Sequence, residues 1–103
     1  MKTLTEEILD FNKARGWTDG NRDARNLAIS VSLEASELLE HFQWQPGKQA
    51  VEQNRDGIME EAADVYIYLL QLADVAGFDL DGAARAKLQK NALKYPVPAG
   101  EHE

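Results

Sequence analysis

Apolar residues recur at every third or fourth position along most of this 103-residue chain, and this period is the strongest constraint on its fold. Such spacing collects apolar side chains on one face of an α-helix, because each helical residue turns by about 100°. Strand-like alternation is absent, and the three prolines, Pro46, Pro96 and Pro98, lie outside the periodic segments. We therefore predict an all-α bundle of four to five helices in one domain over residues 1–96, followed by a flexible tail over residues 97–103.

Caps and breakers set the expected bounds of the helices. Thr5 is expected to cap the first helix, and Gly16 and Gly77 are expected to end helices. Gly57 leaves two forms of the third helix open, one long helix or a short helix followed by a long one with the break at Gly57. Trp17 lies in a connection of turn formers over residues 17–21, where burial as a packing plug is the expected role. The predicted helices run from about Leu4 to Ala14, from about Asp23 to Phe42, from a start between Lys48 and Ile58 to about Ala76, and from Asp79 or Asp81 to about Leu93.

Composition and charge exclude several classes of function. The chain has no cysteine, which rules out disulfides and thiolate metal sites and fits a reducing compartment. The N-terminus turns acidic before any apolar run develops, and the longest apolar stretch, Val65 to Leu70, is too short for a membrane span. We therefore expect a cytoplasmic protein without a signal peptide or a membrane partner. The net charge of −7 argues against binding to nucleic-acid polymers.

Two acidic motifs, Glu34-x-x-Glu37 and Glu61-x-x-Asp64, fall on the second and third predicted helices. Carboxylates three positions apart lie roughly 60° from each other around a helix and share a face. Both motifs border the apolar stripes, so Glu34 sits at the edge of a face that is expected to be buried, where an unpartnered carboxylate is costly. Four such oxygen donors on two facing helices are suited to a hard cation such as Mg²⁺.

A chain with 18 acidic residues contains such motifs by chance, and most of them are solvated helix faces. The position beside the apolar stripes favours a site, as do the basic residues of the last predicted helix, which include Lys87 and are suited to phosphates. A di-iron carboxylate site is a rival for the same motifs and normally uses Glu-x-x-His on two helices. His41 is four residues after Glu37 and no histidine follows Glu61, so oxygen-only ligation of Mg²⁺, with Mn²⁺ as a substitute, is favoured.

Five segments of the chain together form a recognisable pattern. They are Arg25-Asn26-Leu27, Glu34-x-x-Glu37-Leu38, Phe42-Gln43-Trp44, Glu60-Glu61-x-x-Asp64-Val65-x-Ile67-Tyr68 and Lys87-x-x-x-Asn91-x-x-x-Tyr95-Pro96. In these segments the chain resembles MazG-type nucleoside triphosphate pyrophosphohydrolases, and in particular their short, single-domain dCTP pyrophosphatase-like branch. The resemblance covers roughly residues 11 to 96. The chain has Ile8 where a histidine is expected on the first helix of close relatives, so the resemblance leaves the base preference open.

The resemblance implies an all-α dimer or tetramer (a dimer of dimers) that hydrolyses (deoxy)nucleoside triphosphates to the monophosphate and pyrophosphate with Mg²⁺. It implies that Glu34, Glu37, Glu61 and Asp64 are metal ligands. Our own hypothesis is that Glu34 or Glu37 also positions or deprotonates the attacking water. The resemblance further implies that Trp17 and Trp44 stack on the base and that Tyr68 borders the same pocket. Lys87 and Asn91 are the implied contacts to the phosphates or the sugar. Packing alone is the alternative for Trp44, at a helix end, and for Tyr68, in the core.

Removal of surplus or non-standard deoxynucleotides from the pool (house-cleaning) is the expected biological role. The alternative reading is a non-catalytic helical dimer that binds a nucleotide or a protein partner. A purely structural bundle is a third reading, and it predicts a melting temperature that Mg²⁺ leaves unchanged.

Overall fold

Four α-helices account for most of residues 1–17 and 22–98, which are the residues that the computed structural model describes. In chain order they are α1 (Leu4–Ala14), α2 (Ala24–Glu40), α3 (Gly47–Ala76) and α4 (Leu80–Lys94). No strand occurs within the two described ranges, so the all-α prediction is confirmed. The turn predicted over residues 18–21, most of the predicted tail and its His102 lie outside these ranges.

Side chains cap three of the helices at their N-termini. Thr3 caps α1 in place of the predicted Thr5, because its hydroxyl accepts from the backbone N–H of Glu6 while the Glu6 carboxylate accepts from the N–H of Thr3. This reciprocal pair satisfies two donors that would otherwise be free, which Thr5 inside the first turn cannot do. Asp23 caps α2 and Asp79 caps α4 in the same way through one hydrogen bond each.

The third helix departs from the prediction at two places. It begins at Gly47, just before the predicted window, and its only non-helical residue is Asn54 (φ −118°, ψ 26°) rather than Gly57. The Asn54 side chain donates a 3.1 Å hydrogen bond from Nδ2 to the backbone oxygen of His41. A contact to another segment therefore kinks α3 where local helix propensity does not require it. Gly77 ends the helix at a φ of 80°, as predicted.

The α2 and α3 helices form an antiparallel pair that dominates the packing. At one end of the pair, Arg22 forms an ion pair of 2.7 Å with Asp74. At the other end, Gln45 in the connection donates a 3.0 Å hydrogen bond to Gln53 of α3. The α1 helix packs on the C-terminal half of α3, and α4 touches α3 only lightly.

The chain on its own encloses little apolar core. Among the described residues only Ile8, Leu27, Ala50 and Ala73 are buried apolar residues. The radius of gyration is 17.5 Å, against about 13 Å for a compact domain of this length. No helix of the described residues has the length and apolarity that crossing a membrane requires.

Candidate active site

The acidic motifs of α2 and α3 converge at the middle of the antiparallel pair. One carboxylate oxygen from each of Glu34, Glu61 and Asp64 lies within 4.8 Å of the other two. Glu34 and Glu61 are half-buried, whereas Asp64 is exposed. Three carboxylates at this separation repel one another unless a proton or a cation lies among them. The prediction that the two motifs face each other is therefore confirmed for these three residues.

Two oxygens of this carboxylate group have no partner within the described residues. Oε2 of Glu34 and Oε2 of Glu61 are buried and accept no hydrogen bond there. Buried polar atoms are almost always satisfied, so these two oxygens need a donor or a cation. Oxygen-only donors of this kind match the preference of Mg²⁺ and Mn²⁺. His41 contributes no ligand atom to the group, so the donor set differs from the Glu-x-x-His pattern of di-iron bundles.

Glu34 is the carboxyl of this group whose pKa is clearly raised. A hydrogen bond with the Glu37 carboxyl, then burial, then a hydrogen bond with Glu61 raise the pKa of Glu34 from 4.5 to about 7. The negative charges of Glu37 and Asp64 act in the same direction. The Glu34 carboxyl therefore keeps its proton to a higher pH than an ordinary glutamate does, and a cation at the site would displace it.

Glu37 lies beside Glu34 but is more exposed than Glu34 and Glu61. It is not one of the three residues whose oxygens converge, although its carboxyl is the largest cause of the raised pKa of Glu34. Its exposed side chain therefore lies at the rim of the group. The role of all four residues as metal ligands stays a prediction.

A cleft of about 390 Å³ opens beside the carboxylate group, between α1 and α3. Its walls are aromatic and apolar, and Asp64 belongs both to this cleft and to the carboxylate group. The cleft is lined by Glu7, Ile8, Phe11, Asn12, Trp17, Asp64, Ile67, Tyr68 and Gln71. The predicted contact residues Trp17 and Tyr68 are thus brought together at one site.

Trp17 is 50% exposed and meets the Phe11 ring edge-on, with 6.0 Å between ring centroids. The expectation that it is a buried packing plug is therefore wrong for this chain. Phe11 is itself half-exposed, and the Arg15 guanidinium covers its other side at 3.4 Å from the ring centroid. Trp17 consequently presents aromatic surface to the cleft.

A buried amide pair forms the polar part of the cleft. Asn12 donates a 2.8 Å hydrogen bond from Nδ2 to Oε1 of Gln71, and both residues are buried. Sequence reasoning missed this pair because each residue by itself looks like an ordinary polar helix position. The available signal was that Asn12 is adjacent to the apolar stripe of α1, and Gln71 interrupts the apolar run at the end of α3.

The remaining predicted contact residues lie away from the cleft. Trp44 is 96% exposed in the connection between α2 and α3 and has a φ of 67°, the only positive φ of a non-glycine residue in the described ranges. It does not pack against a helix end, so that alternative does not hold within this chain. Lys87 is exposed and Asn91 half-buried on α4, and neither lines the cleft.

Comparison with protein families gives one matching family. A family model described as the MazG-like family matches residues 29–103. The matched region contains both acidic motifs, the connection with Trp44, and α4.

Individual relatives have consistent names. The chain is 38% identical over 93 residues to dCTP pyrophosphatase 1 of Rattus norvegicus and 36% identical over 93 residues to dCTP pyrophosphatase 1 of Homo sapiens. Both matches cover 85% of this chain but 54% of the relative, so the chain spans about half the length of these curated relatives.

One similar solved structure matches along nearly its whole length. It is the crystal structure of a pyrophosphatase from Archaeoglobus fulgidus, which superposes with a TM-score of 0.81 at 40% sequence identity. The match covers 94% of this chain and 96% of the archaeal chain.

Proposed function

This chain belongs to the MazG-like family, and from that premise we propose that it hydrolyses (deoxy)nucleoside triphosphates to the monophosphate and pyrophosphate. The observation that carries the proposal is that Asp64 belongs both to the convergent carboxylate group and to the aromatic cleft. A cation held by the carboxylates would therefore lie next to an aromatic cleft in which a nucleotide base could stack. House-cleaning of the nucleotide pool in the cytoplasm is the role that this activity would serve.

The carboxylate group is suited to a divalent cation because its donors are all oxygen and two of them lack a partner. Glu34, Glu61 and Asp64 would hold Mg²⁺, with Mn²⁺ as a substitute and Glu37 as a further ligand from the rim. When bound, the cation supplies charge neutralisation for the triphosphate, acidification of a ligated water and stabilisation of the leaving pyrophosphate. Without a cation, the same carboxylates would repel the substrate.

The protein's own contribution to the chemical step is a base and a fixed geometry. A water oxygen attacks the α-phosphorus, the bond from that phosphorus to the bridging oxygen breaks, and pyrophosphate leaves with the bonding electrons. The proton of the water passes to Glu34 or Glu37.

The aromatic cleft is the proposed site for the base. Trp17 and Tyr68 offer ring faces on which a base can stack, and Phe11 extends the same wall. Asn12 and Gln71 present amide groups to the polar edge of that base, since the amides retain donor and acceptor capacity beyond their mutual hydrogen bond. Base discrimination would then depend on these two residues, in a chain that has Ile8 where a histidine was expected.

A second subunit would complete the site. Large apolar side chains remain exposed on α2 and α4, including Leu39 at 66% and Leu93 at 85%. Trp44 adds an exposed aromatic ring on a residue with a positive φ. Within a single chain, no packing of this ring offsets the cost of that backbone conformation. We propose that a dimer, or a tetramer built as a dimer of dimers, covers these faces and brings Trp44, Lys87 and Asn91 to the nucleotide.

The first experiment is product analysis with a panel of dNTPs and Mg²⁺, comparing the wild type with Glu61→Gln. Glu52→Gln is the matched control, because Glu52 is an exposed carboxylate of the same helix outside the site. The proposal expects pyrophosphate plus dNMP from the wild type and the control, and none from Glu61→Gln.

The other outcomes are equally informative. Inorganic phosphate plus dNDP would mean that another phosphorus is attacked and would reject the proposed reaction. Nucleotide binding without turnover would support the alternative, a non-catalytic helical dimer. Full activity of Glu61→Gln would reject the site assignment while leaving the reaction intact.

A further inference from the structure

Gly57 lies inside α3, and an imidazole packs directly against its backbone. A Cβ atom built on Gly57 would lie 2.6 Å from Cε1, 3.2 Å from Nε2 and 3.3 Å from Nδ1 of His41. Real Cβ atoms do not approach other atoms as closely as 2.6 Å, so even alanine does not fit while His41 stays in place. The absence of a side chain at position 57 is therefore what lets the imidazole of His41 lie against the backbone of α3.

The same histidine also contacts α3 at the preceding turn. Its backbone oxygen accepts the hydrogen bond from Asn54 Nδ2, and Asn54 is where α3 departs from helical geometry. Glycine and a non-helical asparagine both weaken the interior of a helix. Their occurrence three residues apart, both in contact with His41, indicates that the contact with α2 outweighs the loss of helix stability.

These contacts lie one helical turn from the carboxylate group. His41 follows Glu37 by four residues on α2, and Gly57 precedes Glu61 by four residues on α3. In an antiparallel pair, the level of His41 and Gly57 is therefore adjacent to the level of Glu37 and Glu61. A change in the separation or axial register of the helices at His41 would be transmitted to the carboxylates.

We propose that His41, Asn54 and Gly57 form a register clamp, which positions the carboxylates of α2 against those of α3. The clamp sets how closely and at what axial offset the helices pack, and thereby keeps oxygens of Glu34 and Glu61 at cation-binding separation. This inference rests on the proposed metal site. The three residues are positioning residues, since none of them supplies a ligand atom to the group.

The clamp matters because Mg²⁺ requires a near-ideal octahedral arrangement with short metal–oxygen distances. Relief of the contact at Gly57 requires His41 to rotate away or the helices to separate. Either response removes the contact between His41 and Gly57, which lies between the carboxylate group and the α2–α3 connection. Losing a group that orients metal ligands typically lowers metal affinity by about 10-fold to 100-fold.

The test compares five full-length proteins: wild type, Gly57→Ala, His41→Ala/Gly57→Ala, Asn54→Ala and Gly47→Ala. Gly47→Ala is the matched control, because it makes the same change in the same helix where a Cβ would meet nothing within 4 Å. For each protein, Mn²⁺ binding is titrated by calorimetry, metal-free unfolding is followed by circular dichroism, and kcat and KM are measured for dNTPs.

The expected result is a loss of Mn²⁺ affinity of about 10-fold or more in Gly57→Ala, with a parallel loss of kcat and with cooperative metal-free unfolding retained. The double variant should stay as weak as Gly57→Ala, because removing the imidazole relieves the clash but leaves no His41 side chain to hold the two helices in register. Asn54→Ala should show a smaller loss of Mn²⁺ affinity, because it removes the hydrogen bond to His41 without introducing a clash. This variant tests the clamp even if Gly57→Ala fails to fold.

Three outcomes would overturn the inference. If Gly57→Ala and Asn54→Ala bind Mn²⁺ as tightly as the wild type, the clamp does not position the ligands. If the double variant binds Mn²⁺ as tightly as the wild type, the loss in Gly57→Ala belongs to the clash alone and the His41 imidazole does not position the ligands. A wild type that binds no Mn²⁺ and releases no pyrophosphate would reject the proposed function and the clamp together, whereas an active wild type with unaffected variants rejects the clamp alone.

Discussion

Asn12 and Gln71 are 59 positions apart, yet they form a buried hydrogen bond of 2.8 Å that joins α1 to α3 at the cleft. The bond runs from Nδ2 of Asn12 to Oε1 of Gln71, and a second, longer bond of 3.4 Å runs from Nε2 of Gln71 to the backbone oxygen of Ile67. This is the one side-chain hydrogen bond between α1 and α3 in the described residues. It ties the position of α1 to the shape of the proposed base site.

Replacing Asn12 with alanine should destabilise the protein, because it leaves Gln71 buried without its partner. The expected loss in the free energy of unfolding is about 1–3 kcal/mol, measured by urea denaturation. The near-isosteric double variant Asn12→Leu/Gln71→Met should recover most of that stability while losing discrimination among dNTPs. Unchanged ratios of kcat/KM across the bases in the double variant would contradict the assignment of this pair to base recognition.

Glu61→Gln should stabilise the metal-free protein slightly, because it removes one charge from a group of mutually repelling carboxylates. The melting temperature of Glu61→Gln in EDTA should therefore exceed that of the wild type. Mg²⁺ should raise the melting temperature of the wild type by binding the folded state, and this rise should be absent in Glu61→Gln. Calorimetric scans with and without Mg²⁺ measure both effects. A wild type whose melting temperature does not respond to Mg²⁺ would support the purely structural bundle.

Stability of the metal-free protein should fall as pH rises through the range set by Glu34. Its pKa is about 7 in the folded chain against the ordinary 4.5, so between these values the folded state binds more protons than the unfolded state. The stabilising contribution is therefore complete below pH 4.5 and lost above pH 7. Denaturation in EDTA from pH 4 to pH 8 should show the free energy of unfolding of wild type declining relative to that of Glu34→Gln.

Mn²⁺ should reverse this pH dependence, because binding of the cation requires the Glu34 carboxyl to lose its proton. Mn²⁺ affinity should thus increase from pH 5.5 to pH 8, with proton release that calorimetry in buffers of different ionisation enthalpy can detect. Parallel curves for wild type and Glu34→Gln in EDTA would show that Glu34 does not titrate as the structure indicates.

Leu39→Glu should dissociate the assembly and lower activity, because Leu39 is an exposed apolar residue on the face of α2 that a second subunit is proposed to cover. Analytical ultracentrifugation measures the change in mass at fixed protein concentration. Lys48→Glu is the control, since it alters charge at an exposed position that is already polar. An assembly of unchanged mass in the Leu39→Glu protein would exclude this face from the interface.

Lys87→Ala should raise KM for the nucleotide with little loss of stability, because Lys87 is exposed on α4. If Lys87 acts on the neighbouring subunit's site, mixing Lys87→Ala with Glu61→Gln should restore activity. Mixed dimers then contain one site with an intact carboxylate group and an intact lysine. Absence of restored activity, with subunit exchange verified, would mean that both residues serve the same subunit or that Lys87 has no role.

Much of the local structure followed from short-range sequence signals. The period of apolar residues predicted all four helices, and Gly16, Gly77, Asp23 and Asp79 were predicted close to the ends that they mark. These features depend on contacts within about four residues, which a sequence shows directly. The α1 cap was misplaced by two residues, because Thr3 and Thr5 both lie near the start and only the reciprocal bond with Glu6 separates them.

The sequence by itself determined the helices, their caps and which faces carry carboxylates. Tertiary structure alone decided that Glu34, Glu61 and Asp64 converge while Glu37 lies at the rim, that α3 bends at Asn54 rather than Gly57, and that Asn12 meets Gln71. The physical reason is that the register between two helices depends on side chains packing across their interface. At Gly57 that packing is the fit of an imidazole against a bare backbone, a relationship between residues 16 positions apart that no helical period encodes.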